Sequence, residues 1–130
     1  MNYLLDTHTF VWAVGQPVLL SSVVRGLLEH PETLLWVSPV SVWEMSIKHH
    51  AGKWPEVAPF MDDQLYTRFL GDLKARELGI SSRHTRLAGQ FSMVHKDPFD
   101  RLLAAQAVLE GFTLLSKDEQ LDNFPVARVW

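Results

Sequence analysis

Short apolar runs alternate along this chain with longer segments whose apolar residues recur at helical spacing. The runs predict buried strands at residues 3–5, 34–37 and 112–115, with further strand candidates at 75–80 and 126–130. The segments between them predict helices at residues 7–14, 23–28, 40–50, 60–73 and 82–93, a turn-rich loop at 53–59, and a buried helix after residue 97. Strand and helix therefore follow one another along most of the chain.

This alternation predicts an α/β fold with a central, mostly parallel sheet of about four to five strands and helices on both faces. The chain contains no repeat, no low-complexity tract and no internal linker, so residues 1–130 are expected to form a single domain. Open parallel sheets bind ligands at the carboxyl ends of their strands. Candidate functional residues are therefore expected at that edge.

Two helix starts can be read directly from capping chemistry. Asp97 supplies an N-cap oxygen and Pro98 fits the first helical position, and the helix that follows is apolar and rich in alanine from residue 102 to 109. Asp100, at its third position, either completes the cap or is a metal ligand where the helix meets the sheet. After the third strand, Ser116 and Glu119 predict a capping box for a short helix.

Four carboxylates from separate segments fall near the predicted edge. Asp6 ends the first strand, and Glu44 lies on the helix after the second. Asp100 opens the buried helix, and Asp118 follows the third strand. Crowded carboxylates either become protonated or hold a cation, and Mg²⁺ and Mn²⁺ prefer oxygen ligands. Because such a cation activates water and stabilises charge on phosphate, the set predicts a metal-dependent phosphodiester hydrolase.

Each acid taken alone has a structural explanation. Asp6 fits an N-cap for the helix that follows it. Glu44 fits an ion pair with Lys48 four residues on, worth about 0.3–0.5 kcal/mol. Asp118 fits a favourable interaction with the dipole of its short helix. Only their common location favours a functional site.

Composition narrows the setting. The formal net charge of -3 argues against a protein that coats nucleic acid over its whole surface. A local basic patch remains open, because cations lie within a few residues of the acids, namely Lys48, Lys53, Lys96, Arg101 and Lys117. The chain has no cysteine, no apolar run long enough for a membrane helix and no recognisable signal peptide. We therefore expect a cytoplasmic protein that does not associate with a membrane.

Five tryptophans are a generous number for 130 residues. Trp12, Trp43 and Trp54 lie on or near helices that are expected to flank the site, and tryptophan is frequent in interface hot spots. Tryptophan also fills protein cores, which is the expectation for Trp36 and Trp43.

Four stretches of the chain resemble the motifs of a known family. They are residues 4–8, residues 42–48 with 52–53, residues 95–107, and residues 114–118. The run Asp97-Pro98-Phe99-Asp100-Arg101 is the most specific of them. In this order and spacing they resemble the PIN-domain family and, within it, the VapC-like toxins of bacterial toxin–antitoxin pairs. The central residues 55–93 match only in length and helical character.

The resemblance implies a Mg²⁺- or Mn²⁺-dependent endoribonuclease whose metal-binding, catalytic acids are Asp6, Glu44, Asp100 and Asp118. It places Ser116 at a small hydroxyl position that helps to order water. Further candidates for positioning water or substrate are Thr7, Lys48 and Arg101. The implied partners are an RNA substrate, a cognate antitoxin and a second copy of the chain in a homodimer.

Two other functions are compatible with the same sheet. A phosphatase is one, although such enzymes usually carry a second acid two residues after the nucleophilic aspartate, where this chain has His8. A non-catalytic PIN-like binding module that keeps its acids is the other. Turnover of a small phosphomonoester would favour the first, and failure to bind metal the second.

Overall fold

Parallel strand pairing organises the computed structural model, which describes residues 1–92 and 96–130. Its strands are β1 (Asn2–Leu5), β2 (Leu34–Val37), β3 (Ala75–Glu77), β4 (Thr113–Leu115) and β5 (Arg128–Val129). They form one sheet in the order β3-β2-β1-β4-β5, and each adjacent pair is parallel. The predicted α/β class is confirmed, and β1 lies at the centre of the sheet.

Helices cover both faces of this sheet. The described α-helices are α1 (Thr7–Gly15), α2 (Ser22–Glu29), α3 (Pro39–His50), α4 (Asp63–Leu73), α5 (Ser82–Gln90) and α6 (Pro98–Glu110). Successive strand residues point to opposite faces. Leu5 of β1 accordingly packs in a cluster with Phe10 of α1 and Met45 of α3, whereas Leu4 packs with Leu103 of α6. No helix in the described ranges has the length and apolar content needed to cross a bilayer.

The chain connections bring several helix starts to one edge of the sheet. Residue 6 alone separates β1 from α1, and residue 38 alone separates β2 from α3. Because α6 returns the chain to the start of β4, its own first residues lie at the carboxyl edge. The segments that carry the four predicted acids therefore meet on the same side of the molecule.

The segment from 53 to 73 differs from the prediction of a loop followed by one helix. Residues Pro55–Met61 form a 3₁₀ helix, and α4 begins only at Asp63. Pro59 lacks the amide proton that a continuous α-helix needs, and the Asp62 carboxylate accepts a hydrogen bond from the Leu65 amide at 2.9 Å. That carboxylate cap sets the start of α4.

Three predicted elements are shorter than expected. β3 ends at Glu77 rather than residue 80, and β5 contains only Arg128–Val129. Both are edge strands, which have a pairing partner on one side only. α5 ends at Gln90 rather than 93, because Phe91 has extended backbone angles; residue 93 itself lies outside the described residues.

The side chains that α3 buries differ from the expectation that Trp43 fills the core. Val40 is buried, but Trp43 is 55% exposed and Ile47 is 45% exposed. The helix buries Glu44 and Met45 instead, because the Thr7 hydroxyl and the Lys48 ammonium satisfy the Glu44 carboxylate inside the protein. The expectation that Trp43 fills the core is therefore incorrect.

A pair of glycine substitutions tests the backbone of this fold. Gly111 ends α6 with φ of 72°, in the left-handed region, so Gly111→Ala should lower the free energy of unfolding by about 1–2 kcal/mol. Gly26 lies inside α2 with open space at its Cβ position, so Gly26→Ala should raise it by about 0.5–1 kcal/mol. Urea unfolding curves of both variants measure whether stability falls for Gly111→Ala and rises for Gly26→Ala. A Gly111→Ala variant as stable as the wild type would contradict the left-handed end of α6.

Candidate active site

The carboxylate of Asp6 lies where β1 passes into α1. Its Oδ1 atom accepts a hydrogen bond from the Thr9 amide at 2.8 Å, which makes Asp6 the N-cap of α1. Its Oδ2 atom accepts a short hydrogen bond from the hydroxyl of Ser116, which follows β4. The structural role as a cap therefore uses one oxygen, and the second oxygen joins the ends of two adjacent strands.

Ser116 also fixes the backbone that carries Asp118. Its Oγ atom accepts a hydrogen bond from the Asp118 amide at 3.0 Å, and Ser116 itself is fully buried. Asp118 is exposed and caps the 3₁₀ helix Glu119–Asn123 by accepting from the Gln120 amide at 2.9 Å. The predicted capping box of Ser116 with Glu119 is thus wrong, since the buried serine turns toward Asp6 and the cap is Asp118.

Asp6 and Asp118 line a shared open pocket. The other residues of its wall are His8, Trp12 and Lys117. This pocket brings together two of the four predicted acids, at the carboxyl ends of β1 and β4.

Glu44 reaches the same region from α3. Its buried carboxylate accepts a hydrogen bond from the Thr7 hydroxyl at 2.6 Å through one oxygen and from the Lys48 ammonium at 2.6 Å through the other. The Thr7 oxygen also lies 3.0 Å from the hydroxyl of buried Ser41. Because Thr7 directly follows Asp6, this network ties Glu44 to the start of α1. The ion pair with Lys48 expected from the sequence is present.

Asp100 is the third residue of α6 and is partly buried. The cap of this helix is Asp97, whose Oδ1 atom accepts from the Phe99 amide at 2.9 Å and from the Asp100 amide at 3.3 Å. The assignment of capping to Asp97 is therefore confirmed, and the Asp100 carboxylate occupies the first turn of α6. Its role as a metal ligand stays a prediction.

Arg101 has a structural use that its sequence position did not reveal. Its guanidinium donates to the carbonyl oxygens of Ala88 at 3.0 Å and Phe91 at 2.6 Å, at the end of α5. These bonds satisfy carbonyl groups that a helix end leaves unpaired. The predicted role in positioning substrate is untested.

Two hydroxyl residues of the site escaped the sequence analysis. Thr9 donates its hydroxyl to the Leu115 carbonyl at 2.9 Å, which links α1 to the end of β4, and Ser41 contacts Thr7. Thr9 follows Asp6 by the three residues that a cap spans, which is the one local signal for it. No local sequence signal points to Ser41, because its contact with Thr7 spans 34 residues of sequence.

Burial governs the charge of Asp6. Removal of the carboxylate from water raises its pKa, although hydrogen bonds from Ser116 and Thr9 and the nearby His8 act in the opposite direction. A divalent cation would offset this desolvation, and the carboxylate oxygens fit the preference of Mg²⁺ and Mn²⁺. Within residues 1–92 and 96–130, no three acidic or histidine side chains form a ready ligand group. The donor chemistry thus fits a hard cation, while the acids are drawn together pairwise rather than as one cluster.

Asp6 should make stability depend on pH. Its pKa in the folded state is raised above the ordinary 3.8, so the folded state binds the proton more tightly and stability falls as pH rises from 3.8 through the raised value. Asp6→Asn keeps a good cap and removes the buried charge. In chelator, its free energy of unfolding should exceed that of the wild type at neutral pH and converge with it near pH 3. The matched control is Asp72→Asn, an exposed residue in the last turn of α4, and a variant no more stable than wild type at neutral pH would contradict the burial argument.

Solved structures share this fold over nearly their whole length. VapBC2 from Rickettsia felis, bound to a DNA fragment from its promoter, aligns with a TM-score of 0.69 and 18% identity over 99% of this chain and 98% of that chain. DNA-bound VapBC from Salmonella typhimurium aligns with a TM-score of 0.68 and 14% identity, over 99% of this chain and 97% of that chain. FitAcB from Neisseria gonorrhoeae aligns with a TM-score of 0.63 and 19% identity, over 98% of this chain and 96% of that chain. At these identities the likeness establishes the fold.

A comparison with curated protein sequences gives no match. The family model described as PIN domain matches residues 3–127. This range runs from β1 to the residue before β5 and contains all four predicted acids. The chain therefore belongs to the PIN-domain family.

Proposed function

We propose that this protein is a divalent-metal-dependent endoribonuclease and the toxin of a toxin–antitoxin pair. PIN domains are generally metal-dependent nucleases, and the structural neighbours include two VapBC structures and FitAcB. The observation that carries the proposal is the pairing of Asp6 with Asp118 through the Ser116 hydroxyl, in one open pocket at the carboxyl edge of a parallel sheet.

In this proposal Mg²⁺ or Mn²⁺ would be held most directly by the oxygens of Asp6 and Asp100, and Glu44 and Asp118 would complete the set of ligands or position the attacking water. When bound, the cation supplies a nucleophilic water at neutral pH and stabilises charge on the phosphate. The protein orients the acids: the Ser116 hydroxyl donates to Oδ2 of Asp6, and the Glu44 carboxylate is held by Thr7 and Lys48. This support corresponds to the outer-shell hydrogen bonds that ligating carboxylates normally receive.

The cations of the site have different uses. Lys48 neutralises Glu44 and lies 39% exposed, so it limits the repulsion that RNA phosphates would meet from that carboxylate. Lys117 is exposed beside Asp6 and Asp118 and is placed to attract a polyanion. We assign substrate attraction to Lys117 and a supporting role to Lys48.

Partners belong to the same proposal. A cognate antitoxin is expected from the VapC-like character of the chain, and a homodimer from the same resemblance. The exposed side chains of Trp43 and Ile47 on α3 supply apolar surface of the kind that protein partners cover. A cytoplasmic location would suit both partners and the RNA substrate.

Loss of an acid should remove metal binding and cleavage together. Calorimetric titration of Mn²⁺ should show binding to the wild type and its loss in Asp6→Asn and Asp100→Asn. Cleavage of a mixed RNA pool should fall on the order of 100-fold or more, because the cation supplies the reacting water. Circular dichroism checks that each variant is folded.

Asp72→Asn is the matched control, since Asp72 is exposed and lines a different cavity, together with His30 and Pro31. Equal Mn²⁺ binding by wild type and both site variants would refute the metal site and favour the binding-module function. Metal-dependent turnover of a small phosphomonoester without RNA cleavage would favour a phosphatase.

Ser116 should act on the metal through Asp6. Ser116→Ala removes the donor to Asp6 Oδ2 and the acceptor of the Asp118 amide, so Mn²⁺ affinity should fall about 10–100-fold, as for other outer-shell partners. Ser46→Ala, at an exposed position of α3, should leave the affinity unchanged. Unaltered Mn²⁺ affinity in folded Ser116→Ala would show that the hydroxyl does not orient the ligand.

A further inference from the structure

The guanidinium of Arg128 joins the two ends of the segment that carries Asp118. Its Nε and Nη2 atoms donate to the two carboxylate oxygens of Asp122 at 2.8 and 2.9 Å, and its Nη1 atom donates to the Ser116 carbonyl at 3.0 Å. We call these three hydrogen bonds the Arg128 clamp. Asp118 lies between the two contact points in sequence, so one side chain of β5 holds the segment on both sides of it.

The Arg128 clamp completes the hydrogen bonding of Ser116. The Ser116 amide donates to the Val129 carbonyl at 3.2 Å. Its hydroxyl donates to Asp6 and accepts from the Asp118 amide, and its carbonyl accepts from Arg128. Every polar group of this buried residue therefore has a partner. Because the hydroxyl contacts both acids, the backbone that the clamp holds is also the backbone that sets their relative placement.

Apolar packing holds only part of the segment after Ser116. Asp118 caps the 3₁₀ helix Glu119–Asn123, in which Leu121 is buried. Residues 117–120 are exposed, and the side chain of Asp122 is 55% exposed. The stretch that carries the Asp118 carboxylate thus has few core contacts, and the clamp supplies a constraint that packing does not.

The bidentate pair of Arg128 with Asp122 is suited to orientation. Exposed ion pairs contribute little to the free energy of unfolding, whereas a planar guanidinium with two parallel donors fixes the direction of a carboxylate. Hydrogen bonding to Arg128 lowers the pKa of Asp122, so the carboxylate is charged and the pair is formed at neutral pH.

Arg128 lies beside the candidate site but has its donors directed into the protein. It lines the pocket that adjoins the one of Asp6 and shares Lys117 and Asp118 with it. All three of its guanidinium nitrogens donate to protein oxygens. We therefore assign it no contact with RNA, and any effect on the site passes through the residues that it holds.

We propose that Arg128 and Asp122 are positioning residues of this site, because their clamp fixes the backbone that carries Asp118. This inference rests on the proposed function and adds two residues to it that touch neither the cation nor the RNA. In the nuclease they act on metal binding and on the reacting water only through the placement of Asp118.

Amide hydrogen exchange in chelator tests the placement itself. Asp122→Ala removes the bidentate acceptor and leaves the four predicted acids in the chain. The Asp118 amide should then exchange on the order of 10-fold faster than in the wild type, because the backbone that carries its acceptor is less constrained. The Leu65 amide, which donates to Asp62 at the start of α4, should keep its rate.

Metal binding and cleavage test the effect on the site. In Asp122→Ala the Mn²⁺ affinity and the kcat for RNA cleavage should both fall on the order of 10-fold. KM for RNA should change little, because Lys117 is retained. Arg128→Lys should lose as much, since an ammonium keeps the charge but cannot span both acceptors. Asp122→Glu should restore both quantities, because it returns a bidentate acceptor.

Glu119→Ala is the matched control. It removes an exposed carboxylate from the same 3₁₀ helix, and this carboxylate contributes to the raised pKa of Arg128 after the larger effect of the Asp122 hydrogen bonds. The variant therefore makes the same change of charge without breaking the clamp. It should keep the wild-type exchange rate of the Asp118 amide and the wild-type Mn²⁺ affinity.

Equal exchange of the Asp118 amide in wild type and Asp122→Ala would overturn the proposal, as would full Mn²⁺ affinity and kcat in Arg128→Lys. Faster exchange with unchanged affinity and kcat would also overturn it and leave the clamp a purely structural use. The nuclease is judged on the wild type. Mn²⁺ binding and cleavage that are unaffected by Asp122→Ala would retain the nuclease and reject the positioning role, whereas a wild type that neither binds Mn²⁺ nor cleaves RNA would reject both.

Discussion

The buried hydroxyl of Ser116 is the contact on which the candidate site depends. It has one proton, which it donates to Asp6, and its lone pairs accept the amide of Asp118. The direction of both bonds is therefore fixed. Two further bonds maintain this geometry, since the Asp6 amide and the Thr9 hydroxyl both donate to the Leu115 carbonyl, at 3.1 and 2.9 Å. The parallel register of β1 and β4 therefore sets the relative positions of the Asp6 and Asp118 residues.

The site acids are satisfied to different degrees. Glu44 is buried with a hydroxyl and an ammonium as partners, so its charge is compensated within the protein. Asp6 has hydrogen bonds, but burial still raises its pKa, which means that its ionised form is held at a cost to stability. Such uncompensated charge is typical of sites that take up a cation or a reacting group. The contrast explains why Asp6 rather than Glu44 is the expected centre of metal binding.

The aromatic residues near the candidate site pack partly on the core and partly at the surface. Trp12 and Trp54 pack on the β1 cluster, and Trp12 also lines the pocket of Asp6 and Asp118, whereas Trp54 stacks on His8. Trp43 lies instead on the open side of α3, in edge contact with Phe99 of α6. Amphipathic rings of this kind can contribute to the core and to a binding surface together.

The sequence by itself determined the fold class, the three apolar strands and the helix caps at Asp97 and Asp6. These follow from local chemistry: apolar runs, proline at a first helical position and a carboxylate before a helix are all readable within a few residues. The four acids were predicted at one edge for the same reason, because strand ends in a parallel sheet coincide. The 3₁₀ helix before α4 was missed, since its ending depends on which carboxylate caps the next helix.

Only the tertiary structure decided which partners each side chain meets. Ser116 reaches across 110 residues to Asp6, and Thr7 across 37 to Glu44, so no local pattern announces either contact. The same holds for Trp43, which was expected in the core but lies exposed on α3, while the neighbouring Glu44 is buried. Trp130 joins Trp12 from the other end of the chain. The spacing of apolar residues predicts the helices and strands, but long-range hydrogen bonds and packing decide which side chains of each element are buried and what they contact.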